Sequence, residues 1–131
     1  GKELDQAKLE ILFKDALPET ELTVKLEALA DHDLPMMLLE DEQMRRYKEM
    51  SAMYGQDFGF PVKYTVVLNR ACRTVQQLAA MEEDDTARLV CRQLYDVARM
   101  SSRPLEADDL RNFLERSNRL TAMLLDRQPT A

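Results

Sequence analysis

The sequence predicts an α+β domain in which helices pack on a small three-stranded sheet, and three observations support this prediction. Apolar and polar residues alternate over residues 21–29, a pattern typical of a strand with one buried face. Two short apolar runs at residues 35–39 and 64–68 predict two further strands. Segments with apolar residues at helical spacing lie before, between and after these strands. The 131 residues are therefore expected to form a single domain.

The elements are predicted in order along the chain. A first helix is expected over residues 3–17 because its apolar residues recur at helical spacing, and Pro18 ends it. The run at 35–39 is continuous rather than alternating, which favours a strand in the middle of the sheet. After the strand at 64–68, Asn69 is expected to cap a short helix. Residues 55–62, with two glycines and a proline, are expected to form a loop. The apolar positions of the two helices are Leu9, Leu12, Phe13, Ala16, Ala71, Val75 and Leu78.

Residues 82–125 are predicted to form two amphipathic helices joined by a short turn. On a helical wheel, one face of the last helix carries Leu110, Phe113, Leu114, Ser117, Leu120, Thr121, Leu124 and Leu125. Its other face carries Arg111, Asn112, Glu115, Arg116 and Arg119. The preceding helix has a main stripe of Ala87, Val90, Cys91, Leu94, Val97 and Ala98, and a weaker seam of Leu89 and Met100.

One of these apolar stripes can pack on the domain's own core, and the other needs a different cover. A second copy of the chain would supply it, so the hairpin at residues 86–125 is expected to mediate homodimerization. The expected dimer interface consists of Leu89, Leu94, Leu110, Phe113, Leu114, Ser117, Leu120 and Leu124.

The segment at residues 41–54 is predicted to be an amphipathic helix of unusual composition. Its apolar residues are Met44, Tyr47, Met50, Met53 and Tyr54, and it contains no Leu, Ile or Val. Methionine is flexible and is enriched on surfaces that accept partners of many shapes, which favours an adaptable contact surface. The alternative is an ordinary helix that buries Met44, Tyr47 and Met50 on the sheet.

Several function classes find little support in the composition. The net charge is −6 and the basic residues are scattered among acids, which argues against nucleic-acid binding. No apolar run reaches membrane-spanning length and the amino terminus lacks signal-peptide features, so a cytoplasmic protein without a membrane partner is expected. One histidine and three glycines leave no triad or phosphate-binding loop, so the chain is not expected to be an enzyme.

Other residues that could carry chemistry have simpler interpretations. Cys72 and Cys91 are expected to be reduced, half-buried thiols, with a disulfide or redox switch as the alternative. His32 between two aspartates could mimic a metal site but is expected to lie in a solvated turn, and no metal is expected. The acids of residues 82–85 and 106–109 are expected to stabilise the amino-terminal ends of the last two helices.

Several strings of the sequence resemble the carboxy-terminal domain of bacterial heat-shock protein 90 chaperones of the HtpG type. They are residues 91–98 (CRQLYDVA), 103–105 (RPL) and 113–120 (FLERSNRL). Upstream, residues 35–38 followed by Asp41 and Glu42, the Met-rich helix ending at residues 55–56, and the strand 64–68 followed by Asn69 also match. The resemblance runs from about Leu9 to Leu125.

The resemblance implies a dimerization domain of an ATP-dependent stress-response chaperone. In this family the last two helices form a four-helix bundle with those of a second subunit. The family's exposed client-binding helix corresponds to residues 41–54, where Tyr47 and Met50 match its apolar face and Met44 and Met53 are neighbours. The family's nucleotide-binding domain lies upstream, so ATP and magnesium would bind outside this chain and no cofactor is expected here.

Two departures from the family pattern affect what can be carried over. Residues 70–73 (RACR) stand where the family usually has a proline and a His-Pro pair. The chain ends in DRQPTA, without the acidic tail by which eukaryotic members recruit helper proteins, which favours a bacterial protein. The alternative function is a helical adaptor or regulatory domain that binds one specific partner without chaperone activity.

Overall fold

In the computed structural model, the described residues form five helices and a three-stranded mixed sheet, which is the α+β fold that the sequence predicts. The structure describes residues 4–40, 42–55 and 63–127, apart from the side chains of residues 43, 44, 47 and 48. The elements are α1 (Gln6–Ala16), β1 (Glu21–Glu27), β2 (Met36–Glu40), α2 (Glu42–Tyr54), β3 (Lys63–Asn69), α3 (Arg73–Ala80), α4 (Asp85–Met100) and α5 (Ala107–Asp126).

The strand order is β1-β3-β2, with β3 parallel to β1 and antiparallel to β2. The prediction that the run at 35–39 lies in the middle of the sheet is therefore wrong. The central strand is β3, which pairs along both of its edges and whose Val66, Val67 and Leu68 are all buried. On the edge strand β2, Met36 is buried while Met37 and Leu39 are exposed, as alternation across an edge strand requires.

The core lies between the sheet and the helices α1, α3 and α4. Leu9, Leu12, Phe13 and Ala16 of α1 are buried, as their spacing predicts. On β1 the alternating pattern buries Leu22 and Val24 and leaves Glu21, Thr23 and Lys25 exposed. Asp5 caps α1 by accepting a hydrogen bond from the Lys8 amide at 3.1 Å. The sequence pattern thus determines which faces of α1 and β1 form the core.

Asn69 does not cap the helix after β3, contrary to the sequence prediction. The helix α3 begins at Arg73, and Cys72 occupies its N-cap position. Asn69 is fully buried, and its amide donates to the carbonyls of Asp31 at 2.9 Å and Leu34 at 2.8 Å. Its Oδ1 accepts from the backbone amides of Leu29 and Ala71, both at 3.0 Å. Asn69 therefore joins the loop after β1 to the end of β3 and has all its polar atoms satisfied.

Acidic residues begin α4 and α5, as predicted, although Glu82 and Glu83 precede α4. Asp84 is the N-cap of α4 and accepts a hydrogen bond from the Ala87 amide at 2.9 Å. Asp85 lies in the first turn of α4, and Asp108 and Asp109 lie in the first turn of α5. Gly55 follows α2 with a φ of +65°, a left-handed conformation that favours glycine. The rest of the loop expected at 55–62 lies outside the described residues.

Candidate functional site

The contact between α5 and α4 is centred on a buried charge rather than on leucines. Within the described part of the chain, Arg116 is the only residue of α5 that is buried. The wheel assigned Arg116 to the outward polar face, and this interpretation is wrong. The reason is Asp96 on α4, which is itself only 2% exposed and provides a partner for the guanidinium.

The carboxylate of Asp96 accepts hydrogen bonds from two arginines, one on each oxygen. Nη1 and Nη2 of Arg116 both donate to Oδ2, each at 2.9 Å. Oδ1 accepts from Nη2 of Arg99 at 2.6 Å and from its Nε at 3.2 Å. Arg99 also lies 3.5 Å from Asp109 at the start of α5, so it links the two helices a second time. This arrangement satisfies a buried charge with geometrically demanding bonds.

The arginines of this cluster differ in their electrostatic environments. Burial lowers the pKa of Arg116 despite the opposing charge of Asp96, and the neighbouring Arg92 and Arg99 lower it further. Burial also opposes the charge of Arg99, but the hydrogen bond and charge of Asp96 outweigh it and raise the pKa of Arg99. Both guanidiniums remain charged at neutral pH because an arginine pKa starts far above seven.

A seam of half-buried residues lies on both sides of Arg116 along α5. The ring of Phe113 lies 6.0 Å from the Arg116 guanidinium carbon. Nε2 of Gln93 on α4 donates to the Ser117 hydroxyl at 2.9 Å, and its Oε1 accepts from Arg116 at 3.2 Å. Leu120 is half-buried one helical turn beyond Arg116. The spacing 113–116–120 places Arg116 on the same helix face as Phe113 and Leu120, but it does not identify Asp96 as the partner of the guanidinium.

An apolar flank lies beside this seam on the open side of the hairpin. It consists of Val97, which is 49% exposed, and Leu110, Leu114, Leu124 and Leu125, which are 41%, 53%, 63% and 67% exposed. Residues three or four apart share a helix face, so Val97 lies beside Gln93 on α4, and Leu114 lies beside Ser117 on α5. The hydrogen bond between Gln93 and Ser117 therefore joins the two helices within one helical turn of Val97 and of Leu114. Large apolar side chains exposed along two neighbouring helices are typical of an interaction surface.

The predicted interface residues therefore occupy several environments. Leu110, Leu114 and Leu124 lie on the exposed apolar flank, whereas Phe113, Ser117 and Leu120 are half-buried in the seam toward α4. Leu94 is partly buried against the domain core. Leu89 lies in a charged groove of about 380 Å³, lined also by Arg92, Asp96, Arg99, Asp109, Asn112, Glu115, Arg116 and Arg119.

The helix α2 carries the other candidate surface. Met50 is 54% exposed, Met53 is 82% exposed and Tyr54 is 69% exposed. These values disagree with a helix that buries Met50 on the sheet. The side chains of Met44 and Tyr47, which the sequence also assigns to this surface, lie outside the described residues. The apolar residues near the end of α2 are therefore open to solvent.

The remaining candidates offer no chemical site in the described part of the chain. His32 is exposed in its turn, and no group of three or more His, Cys, Asp or Glu residues described here is placed to hold a metal ion. Cys72 and Cys91 are free, and both are more deeply buried than expected, at 3% and 0% exposure. Burial raises the pKa of the Cys91 thiol from 9.0 to about 12, which makes it a poor nucleophile. Of the helices described, none combines the length and apolar character needed to cross a membrane.

Comparison with known proteins relates the chain to part of a bacterial chaperone. It is 33% identical over 89 residues to the chaperone protein HtpG of Bacteroides fragilis, an alignment covering 61% of this chain and 13% of the relative. It is 32% identical over 87 residues to HtpG of Bacteroides thetaiotaomicron, covering 60% of this chain and 12% of the relative. No family model matches the chain. The chain is thus similar to a short segment of HtpG and spans about an eighth of those proteins.

Proposed function

We propose that this chain is the homodimerization domain of an HtpG-type, ATP-dependent chaperone and that it also contacts client proteins. In this proposal α4 and α5 pair with the same helices of a second copy to form a four-helix bundle. The helix α2 presents its exposed methionines to partly unfolded proteins in the cytoplasm. Nucleotide binding and hydrolysis would belong to another part of the whole chaperone. The similarity to HtpG supports the chaperone assignment, and the exposed side chains support the two contact surfaces.

The observation that carries the dimer proposal is the apolar flank beside the charged seam. The α5 helix rests on α4 through Arg116 and leaves four large apolar side chains of the two helices more than 45% exposed: Val97, Leu114, Leu124 and Leu125. Complete burial of a leucine side chain contributes about 1.5–3 kcal/mol, before the cost of association. A two-fold contact between hairpins would bury the flank of each copy against the other and close the assembly at two subunits.

Sedimentation equilibrium on the purified chain tests the dimer proposal. The wild-type chain is expected to be dimeric at micromolar concentration, and Leu114→Asp and Leu124→Asp are expected to be monomeric with an unchanged circular-dichroism spectrum. Both substitutions place a charge in a surface that must become dry. Ala122→Asp is the matched control, since it adds the same charge at an exposed position of α5 that lies outside both the apolar flank and the charged groove.

A monomeric wild-type chain would refute the dimer proposal. Dimers that persist in both leucine variants would show that a different surface joins the two copies. Loss of the dimer in Ala122→Asp as well would show that added charge anywhere on α5 is disruptive.

A binding assay with a permanently unfolded protein tests the client-contact proposal. Met50→Ser combined with Met53→Ser is expected to weaken binding of reduced, alkylated lactalbumin, because the apolar area available on α2 decreases. The dimer should be unaffected because α2 is not part of the hairpin. Ile11→Ser is the matched control, since Ile11 is 52% exposed on α1, away from α2.

Equal binding by the double serine variant and the wild-type chain would refute the role of α2. The same assay separates a chaperone from the alternative adaptor domain. A chaperone domain should bind several unrelated unfolded proteins, whereas an adaptor should ignore them and bind one folded protein.

A further inference from the structure

The attachment of α5 to the domain depends on one carboxylate in α4. Asp96 is 2% exposed, and it accepts both donors of the Arg116 fork at 2.9 Å. Arg116 is buried, while the leucines on either side of it along α5 are half-buried or exposed. The contact between α4 and α5 therefore has an ion pair at its centre, and the apolar residues around this ion pair are only partly buried.

A chain of contacts connects this carboxylate to the central strand of the sheet. Tyr64 on β3 meets the ring of Tyr95 edge-on, with centroids 6.1 Å apart. The guanidinium of Arg99 lies 4.9 Å from the Tyr95 centroid and donates to Asp96 at 2.6 Å. The position of Asp96 is thereby fixed from the core side, and it fixes Arg116 in turn.

An ionic centre determines the rotation and register of α5 more strictly than an apolar seam would. Leucines can shift along a groove by a helical turn and remain in contact, whereas Arg116 can direct both of its terminal nitrogens at one buried oxygen of Asp96 in few orientations. On the α5 wheel, Leu110, Leu114 and Leu125 lie about 120° to 180° from Arg116, and Leu124 lies about 80° from it. When Arg116 is held by Asp96, the leucines of the apolar flank must point to the open side of the hairpin.

We propose that Asp96 is a positioning residue for the dimer: by holding Arg116 it orients the apolar flank of α5 toward a second copy of the chain. The inference rests on the proposed function, since it concerns the same dimer surface. Asp96 itself takes no part in the contact between copies and acts through the orientation of α5.

Two sets of substitutions test this role by sedimentation equilibrium and thermal unfolding. Asp96→Asn leaves the buried Arg116 guanidinium without a counter-charge, while Arg99 keeps Asp109 at 3.5 Å, and is expected to raise the dimer dissociation constant by roughly tenfold or more. Asp108→Asn is the matched control, because Asp108 forms an exposed ion pair with Arg111 at 3.0 Å on the same helix. It should change the dissociation constant by less than about twofold.

The double variant Asp96→Leu with Arg116→Met separates orientation from simple attachment. An apolar pair can restore the thermal stability lost in Asp96→Asn, since such replacements are well tolerated in buried sites. It cannot restore the single orientation, so the dimer should stay weak even though the domain is stable. A double variant that is stable and dimerizes as tightly as the wild-type chain would overturn the proposal.

Failure of this inference can be distinguished from failure of the proposed function. A wild-type chain that does not dimerize would refute the proposed function. A wild-type dimer whose dissociation constant is unchanged by Asp96→Asn would refute only the positioning role.

Discussion

The two sides of α4 are held by different kinds of contact. Toward the sheet, α4 buries Ala87, Cys91 and Tyr95 in an apolar core that includes α1 and β3. Toward α5, it presents Asp96 and Gln93 to Arg116 and Ser117. The first side gives the domain its stability, since apolar burial is the main favourable contribution to folding.

The second side allows a helix to be attached without burying its leucines. If α5 packed on α4 through its leucine stripe, those leucines would be buried within one chain and would not be available to a second copy. The Asp96–Arg116 pair instead holds α5 while leaving Leu114 and Leu124 more than half exposed. A buried ion pair adds little net stability compared with apolar packing, but it specifies one arrangement. The polar side of α4 is therefore suited to presenting a surface rather than to filling a core.

The largest expected effect is on the free energy of unfolding, when the same leucine-to-alanine substitution is made in the apolar core and on the apolar flank. Leu12→Ala removes a side chain that is 1% exposed and should lower the free energy of unfolding by about 2–5 kcal/mol. Leu114→Ala removes one that is 53% exposed and should lower it by less than about 0.5 kcal/mol in the monomer. Urea unfolding of both variants at high dilution measures the difference. Similar losses would show that the apolar flank is as well packed as the core.

The buried faces of α1 and β1 could be predicted from the sequence, because they depend on the local spacing of apolar residues. The alternation on β1 and the spacing on α1 report which face of each element is buried, and no distant residue is needed. The acidic starts of α4 and α5 were predicted for the same reason, since Asp84 caps the helix that follows it. The fold class follows from these elements.

The polar side could not be predicted because its signals join residues distant in the chain. Arg116 is buried only because Asp96, twenty positions earlier, faces it across the hairpin. A helical wheel contains no information about a partner helix, so it assigns an arginine to the outside. Asn69 was misassigned for a related reason, since its partners lie in the loop between β1 and β2. The position of β2 at an edge likewise depends on pairing rather than on composition.

A smaller effect is expected from Cys91, on the apolar side of α4. Burial raises the pKa of its thiol from 9.0 to about 12, so the native state keeps its proton while the unfolded state loses it. The stability contributed by this group is complete below pH 9.0 and is lost as the pH rises toward about 12. Between pH 8 and pH 10, the wild-type chain should lose about 1.4 kcal/mol more than Cys91→Ala in urea unfolding. Because Tyr95 has its pKa raised by burial in both proteins, the difference between them isolates the thiol. Equal losses in the two proteins would show that water reaches Cys91 and that the core side of α4 is less tightly packed than the comparison requires.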